Sequence, residues 1–243
     1  MLVVSFLRTV AAAIFLIFYG AVLGPFFILQ AMIVGNVRVL YPFSIGGSQV
    51  GLRIAGVRPV AEGVENIPQR TCLFVCNHVS NLDPPVVVGR IPKRVALLAK
   101  RELFRIPFLG TAMRLGKFVP VHRHDPAAAR ASVRLARKYM KEGISYIVFA
   151  EGTRSRDGRL GQFKRGSFHL AIESGAPVVP VSIVGTQKLQ PRGAVVVKPG
   201  TVKVVFHPAV DVTKYSAATR TELAERVREA VASGLPEEQK PAK

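Results

Sequence analysis

A histidine and an aspartate, His78 and Asp83, share the segment Asn77-His78-Val79-Ser80-Asn81-Leu82-Asp83. The segment follows an apolar run over residues 71–76 and precedes Pro84-Pro85. A strand end leading into a helix start is where α/β proteins place ligand sites. Such a turn can bring the two side chains into contact. A carboxylate on one ring nitrogen fixes the imidazole tautomer and supports the imidazolium formed when the other nitrogen takes a proton. The pair is therefore a candidate general base. Spacing alone is a weak signal, because an N-capping Asp beside a partly buried His gives the same pattern. Ser80 offers a covalent alternative, but no Gly-x-Ser-x-Gly elbow surrounds it.

Three further segments accompany the pair. Residues 100–110 open on Lys100 and close on Gly110, and a stretch ending in His122-Arg123 follows. From Pro84 to Arg123 there are nine Lys or Arg and one acid, Glu102. Ordinary solvated faces mix the signs, so this block reads as an anion site. Glu151-Gly152-Thr153-Arg154-Ser155 follows another apolar run, and Val179-Pro180-Val181 lies within a later one, where Pro suits an edge or a bulge.

In this order and at these intervals, the four segments resemble the four motifs of the glycerolipid acyltransferase family, in particular its 1-acyl-sn-glycerol-3-phosphate acyltransferase branch. The resemblance covers roughly residues 60–210. It implies that His78 is the general base and Asp83 its orienter, and that Lys100 and Arg154 hold the acceptor's phosphate. It implies that Glu151, Gly152 and Thr153 shape the acceptor site and that Pro180 helps form the acyl-donor side. Arg123 matches the end of the second motif. The implied reaction moves an acyl chain from acyl-CoA or acyl-carrier protein directly onto the sn-2 hydroxyl of lysophosphatidic acid, with no cofactor and no metal. Backbone amides of the 78–83 turn are the expected oxyanion donors. Glycerol 3-phosphate or another lysolipid is the alternative acceptor. A basic, non-catalytic membrane adaptor is the alternative of a different class, and it leaves the His78–Asp83 pair without a purpose.

The elements that must position these residues are legible in part. Residues 71–76, 94–99, 144–150, 178–185 and 201–207 read as strands, interleaved with helices. Asp125-Pro126 reads as N-cap and first residue of a helix stopped by Gly143. A shorter helix over 166–174 ends at Gly175. Thr219 and Glu222 read as a capping box for a helix through Ser233. The fold class is α/β, a largely parallel sheet flanked by helices, with an N-terminal hydrophobic helical membrane segment.

Residues 9–37 carry no charge, between Arg8 and Arg38. As one helix they would run about 43 Å, longer than the ~30 Å hydrocarbon core. Gly24-Pro25 near the middle predicts a broken, partly inserted hairpin. Both flanks are basic and the first acid is Glu62, which places the catalytic domain on the cytoplasmic face of the cell membrane. The run is too long for a cleaved signal peptide. Residues 39–60 are Gly-rich and mildly apolar and read as a connector. The expected organisation is a membrane-associated segment with connector over 1–58, an acyltransferase domain over 59–233 and a disordered tail over 234–243.

Composition narrows the partners. Of 243 residues, 34 are Lys or Arg and 15 are Asp or Glu, a formal +19. Such a surface attracts lipid headgroups, phosphorylated ligands or nucleic acid. No helix-turn-helix, zinc-finger or RRM pattern appears, so nucleic acid is not an expected partner. Membrane lipids and a thioester donor are. Gly110 to Gly116-Lys117 is one residue too long for a phosphate loop, and Phe118 replaces the required Ser or Thr. On a strand, Cys72 and Cys76 lie about 13 Å apart, too far for a disulfide, and read as buried thiols in a reducing compartment. Their spacing with one nearby His is a poor zinc signal.

Overall fold

The computed structural model describes residues 2–121 and 125–241. It opens on α1 (Leu2–Phe18), a π-helical turn (Tyr19–Leu23) and α2 (Gly24–Val34), which run on as one helix of 33 residues. The predicted break at Gly24-Pro25 does not occur. Pro25 lacks an N–H and would crowd the carbonyl one turn back. The wider π turn immediately before it absorbs that misfit. The chain reverses instead after Gly35, at φ +70°, and returns as α3 (Leu40–Ala55).

Residues 40–55 are thus a helix and not the connector expected from their glycines. The glycines serve close packing. A Cβ on Gly47 would stand 2.3 Å from the Tyr19 ring, and one on Gly51 3.0 Å from Leu16. Tyr19 stacks on Phe43 with centroids 4.3 Å apart and donates to the Phe43 carbonyl at 3.1 Å.

The α/β part contains β1 (Val57–Glu62), β2 (Leu73–Cys76), α4 (Asp83–Val88), β3 (Val95–Lys100), α5 (Leu109–Leu115), β4 (Val119–Val121), α6 (Pro126–Lys141), β5 (Ser145–Phe149), α7 (Gly166–Ser174), β6 (Val178–Val184), α8 (Thr186–Leu189), β7 (Gly200–Phe206) and α9 (Arg220–Ser233). One sheet has the order β1-β7-β6-β2-β5-β3-β4. β2 to β6 are mutually parallel, β7 is antiparallel to β6, and β1 is parallel to β7. The five predicted strands are all present. The two unpredicted ones, β1 and β4, are the edges, and each carries a proline (Pro59, Pro120) that edge positions tolerate.

Alternation along β2 divides the core. Phe74 and Cys76 pack on the face covered by α3 and α4, with Ile147, Val179 and Phe206. Leu73 and Val75 pack on the opposite face against Phe168 of α7 and Leu223 of α9. Cys72 and Cys76 are buried free thiols, and burial pushes the Cys76 thiol well up.

Helix ends follow the sequence with one exception. Asp125 accepts from the amides of Ala127 and Ala128 at 2.9 and 3.0 Å, and Gly143 and Gly175 take positive φ. The predicted capping box is not formed: Thr219 Oγ1 accepts from the Ser216 amide at 2.9 Å instead. The tail, expected to be disordered, is docked over 234–241. Its Gln239 is buried, its carbonyl accepts from the Leu160 amide at 2.8 Å, and its Nε2 donates to Gln187 at 3.1 Å.

Candidate active site

β2 ends at Cys76, and the next residue, Asn77, ties the chain to β6. Its side chain bonds both backbone groups of Ile183, donating at 3.0 Å and accepting at 2.8 Å. The chain then turns into α4, with Asp83 as its first residue. This turn brings His78 Nδ1 within 2.8 Å of Asp83 Oδ2. The same oxygen accepts from the amides of Val79 and Ser80, both at 2.8 Å. Asp83 is fully buried, so its carboxylate is fixed by three donors and cannot swing away.

With Nδ1–H directed to the carboxylate, Nε2 holds the lone pair. No described residue bonds to Nε2, and the side chain is 17% exposed. The imidazole lies on the Phe149 ring with centroids 4.3 Å apart. A ring held on one face and along one edge presents a single basic nitrogen in a fixed direction.

The 151–155 turn clamps His78 by its backbone. Glu151 Oε1 accepts from the His78 amide at 2.8 Å, and the Ser155 amide donates to the His78 carbonyl at 2.8 Å. Glu151 Oε2 accepts from the Gly161 amide at 3.0 Å. Burial raises the Glu151 carboxyl above its ordinary value, against the two amide bonds and the neighbouring His78, which lower it. Among the described residues Glu151 forms no ion pair with Arg154; both its oxygens accept from backbone amides. Gly152 turns the chain at φ +75°, and a Cβ there would meet Lys164 at 2.8 Å.

The remaining predicted residues fall at different depths. Thr153 is exposed and Arg154 half-buried. Lys100 ends β3, exposed, 3.8 Å from Glu102. Continuing the registers of β5 with β2 and β3 sets Lys100 level with Ala150 and Asn77, about 10 Å across two strand spacings. Arg123 lies outside the described residues. Pro180 is buried beside Val75, within the sheet and below the rim. Between the bridge Val178–Val210 and the pair Val181–Phe206 stand two residues on one strand and three on the other. Pro180 therefore faces a β-bulge, where its missing N–H leaves no ladder bond unmade.

Two expectations about the turn change. The amides of His78, Val79, Ser80 and Leu82 are already committed within the site, so they are not open oxyanion donors. The buried Ser80 hydroxyl donates to the Gln190 carbonyl at 2.8 Å and is not bonded to His78, which removes the geometry a covalent nucleophile needs. Several contributors were not singled out by the sequence: Asn77, Phe149, Gln190 and Arg192, whose guanidinium donates to the Arg154 carbonyl at 2.9 Å. Asn77 lies inside the first motif, and Phe149 opens the run that carries Glu151 to Ser155. Gln190 and Arg192 have signals only in three dimensions.

Comparison with known proteins gives a consistent picture. A family model described as acyltransferase matches residues 58–184. A chloroplast 1-acyl-sn-glycerol-3-phosphate acyltransferase of Brassica napus is 37% identical over 152 residues, 61% of this chain and 44% of that protein. The chain thus spans less than half the length of that relative. A 1-acyl-sn-glycerol-3-phosphate acyltransferase of Limnanthes douglasii is 32% identical over 203 residues, 83% of this chain and 71% of its own. The crystal structure of the 1-acyl-sn-glycerophosphate (LPA) acyltransferase PlsC from Thermotoga maritima superposes with a TM-score of 0.78 at 30% identity, covering 95% of both chains.

Proposed function

We propose, from the premise that this chain belongs to the acyltransferase family, that it transfers a fatty acyl group from a thioester to the sn-2 hydroxyl of lysophosphatidic acid, giving phosphatidic acid. The relatives from Brassica napus, Limnanthes douglasii and Thermotoga maritima are called 1-acyl-sn-glycerol-3-phosphate or 1-acyl-sn-glycerophosphate acyltransferases, which supports this acceptor. The observation that carries the mechanism is the His78 Nδ1–Asp83 Oδ2 contact of 2.8 Å, with Nε2 bonded to no described residue.

In this mechanism the acceptor phosphate lies against Lys100 and Arg154, with Arg binding two oxygens and Lys acting as a point charge. His78 Nε2 takes the hydroxyl proton as the acceptor oxygen bonds to the thioester carbonyl carbon. The Asp83 carboxylate stabilises the imidazolium. The tetrahedral oxyanion forms in the positive field of Lys100, Arg154 and Arg192. Its collapse breaks the carbon–sulfur bond, and the leaving thiolate takes the proton back from His78. The step balances with acyl-CoA or acyl-carrier protein as donor, without a cofactor or metal.

The acceptor and donor are lipid-derived, and the surface suits a bilayer. α1 and α2 form a helix long and apolar enough to cross a membrane, with its apolar side chains mostly exposed. Leu103, Ile106, Phe108 and Leu109, after the rim residue Lys100, are exposed as well. We place these groups in the membrane of the cell, with the sheet rim, beside which Arg8 lies, at its cytoplasmic face.

The test is a transfer assay on purified protein. The panel takes lysophosphatidic acid, glycerol 3-phosphate and a neutral-headgroup lysolipid as acceptors, with acyl-CoA and acyl-carrier protein as donors. Fastest turnover with lysophosphatidic acid supports the reading. Turnover with none of the acceptors, by a folded protein, contradicts it.

A further inference from the structure

Three arginines from three elements meet at one cleft. Arg8 of α1, Arg53 in the last turn of α3 and Arg58 of β1, with Gly56, Pro199 and Thr201, line a cavity of about 360 Å³. Its parts are fixed in place. Thr9 Oγ1, next to Arg8, accepts from the Val197 amide at 2.9 Å. The Gly56 carbonyl accepts from the Gly200 amide at 3.0 Å. Gly56 turns at φ +81°, and the Arg8 Nη1 lies 3.0 Å from where its Cβ would stand. A Cβ at Gly56 would also meet Pro199 Cβ at 2.7 Å, so only glycine lets these parts pack this closely.

Among the described residues, none of the three guanidiniums pairs with a carboxylate. The C-terminus of α3 offers only a partial negative charge to Arg53. Three like charges around one cavity repel until an anion sits among them. Guanidinium groups match phosphate oxygens in charge and in their forked geometry.

Position selects which phosphate. β1 pairs with the start of β7, and β7 runs opposite to β6. The cleft therefore opens on the same rim as His78, three strand spacings from β2, or about 14 Å. On α1, Arg8 is flanked by exposed Phe6, Leu7 and Val10. A charged group among exposed apolar side chains belongs at the level where hydrocarbon meets headgroups.

We propose that the Arg8–Arg53–Arg58 cleft binds the phosphate of an anionic membrane glycerophospholipid, separately from the acceptor phosphate at Lys100 and Arg154, and so pins the catalytic rim to the bilayer surface. This rests on the placement of α1 and α2 in the membrane.

The test is flotation of the full chain with vesicles of phosphatidylcholine alone and of phosphatidylcholine mixed with phosphatidylglycerol. A cleft triple variant, Arg8→Gln, Arg53→Gln and Arg58→Gln, is compared with a remote triple of equal charge loss, Arg134→Gln, Lys214→Gln and Arg226→Gln. Thermal unfolding confirms that both are folded. Wild type should prefer the anionic vesicles. The cleft triple should lose that preference by at least about tenfold while the remote triple keeps most of it, since each basic group at the surface counts by mass action. Equal losses in both triples would mean diffuse attraction and overturn the site. Wild type floating equally on both vesicles overturns the site alone, whereas floating on neither overturns the membrane placement with it. Stabilisation of wild type, but not of the cleft triple, by inorganic phosphate without any vesicle preference would assign the cleft to free phosphate and also overturn the lipid reading.

Discussion

Asp83 Oδ2 is 2.8 Å from His78 Nδ1 and accepts two amide hydrogens besides. The carboxylate orients the ring and is itself fixed by the turn it closes. Asp83→Asn would turn either a second donor or a weaker acceptor toward Nδ1, and it would lose the negative charge that balances the imidazolium. Transfer should fall on the order of 10²–10⁴-fold with acceptor KM little changed, measured by steady-state kinetics. A KM effect alone would assign Asp83 to binding.

Both Glu151 oxygens accept from backbone amides, those of His78 and Gly161. Glu151→Gln keeps one acceptor but turns its amide N–H₂ toward a backbone N–H, leaving that group unsatisfied. The expected loss is about 1–3 kcal/mol of stability by urea unfolding, together with slower transfer. The pH dependence has a definite sign. The folded carboxyl sits above its ordinary value because of burial, so its contribution to stability is full below the unfolded pKa of about 4.3 and is lost as pH rises through the folded pKa. The deficit of the Gln variant should therefore shrink from acid toward neutral pH. A deficit that grows over that range would contradict the burial argument.

How much of the fold and site is readable from residues alone depends on the distance over which each contact acts. The His78–Asp83 contact is local, closed by one strand-to-helix turn, and its spacing announces it. Asp125 as N-cap and Gly143 and Gly175 as helix stops are equally local. The edge strands β1 and β4 were hidden because Pro59 and Pro120 argue against strands unless the strand is known to lie at an edge. The Gly47 and Gly51 pattern spelled a linker because its meaning, a close approach to Tyr19 and Leu16, depends on a partner helix far earlier in the chain. The docked tail depends on Gln187 and Leu160, far away in sequence. Phe149 under the imidazole and Arg192 against Arg154 are likewise long-range.

Gly152→Ala tests the second clamp on His78. With φ at +75°, an L side chain costs about 1–2 kcal/mol, and the added methyl must also displace the Lys164 side chain. The variant should unfold at lower urea and transfer more slowly, because the turn that bonds both backbone groups of His78 is distorted. Unchanged stability would mean that the turn has another accessible conformation.

His207 predicts a separate acid sensitivity. Ser182 Oγ donates its one hydrogen to the Val231 carbonyl at 2.6 Å, so at 2.7 Å it accepts from His207 Nε2. Burial lowers the His207 pKa. Its contribution is then full above the unfolded value near 6.5 and is lost as pH falls through that range, because the unfolded chain binds the proton first. Melting temperature should drop between about pH 7 and pH 5 in wild type, and less steeply in His207→Gln. Parallel curves would remove His207 as the cause.

The initial rate of acyl transfer by purified His78→Ala, with lysophosphatidic acid and acyl-CoA, is the most direct measurement. Thermal unfolding and vesicle binding should match wild type while the rate falls by on the order of 10²–10⁴-fold. A folded, membrane-bound His78→Ala protein that transfers acyl groups at close to the wild-type rate would show that this imidazole is not the base.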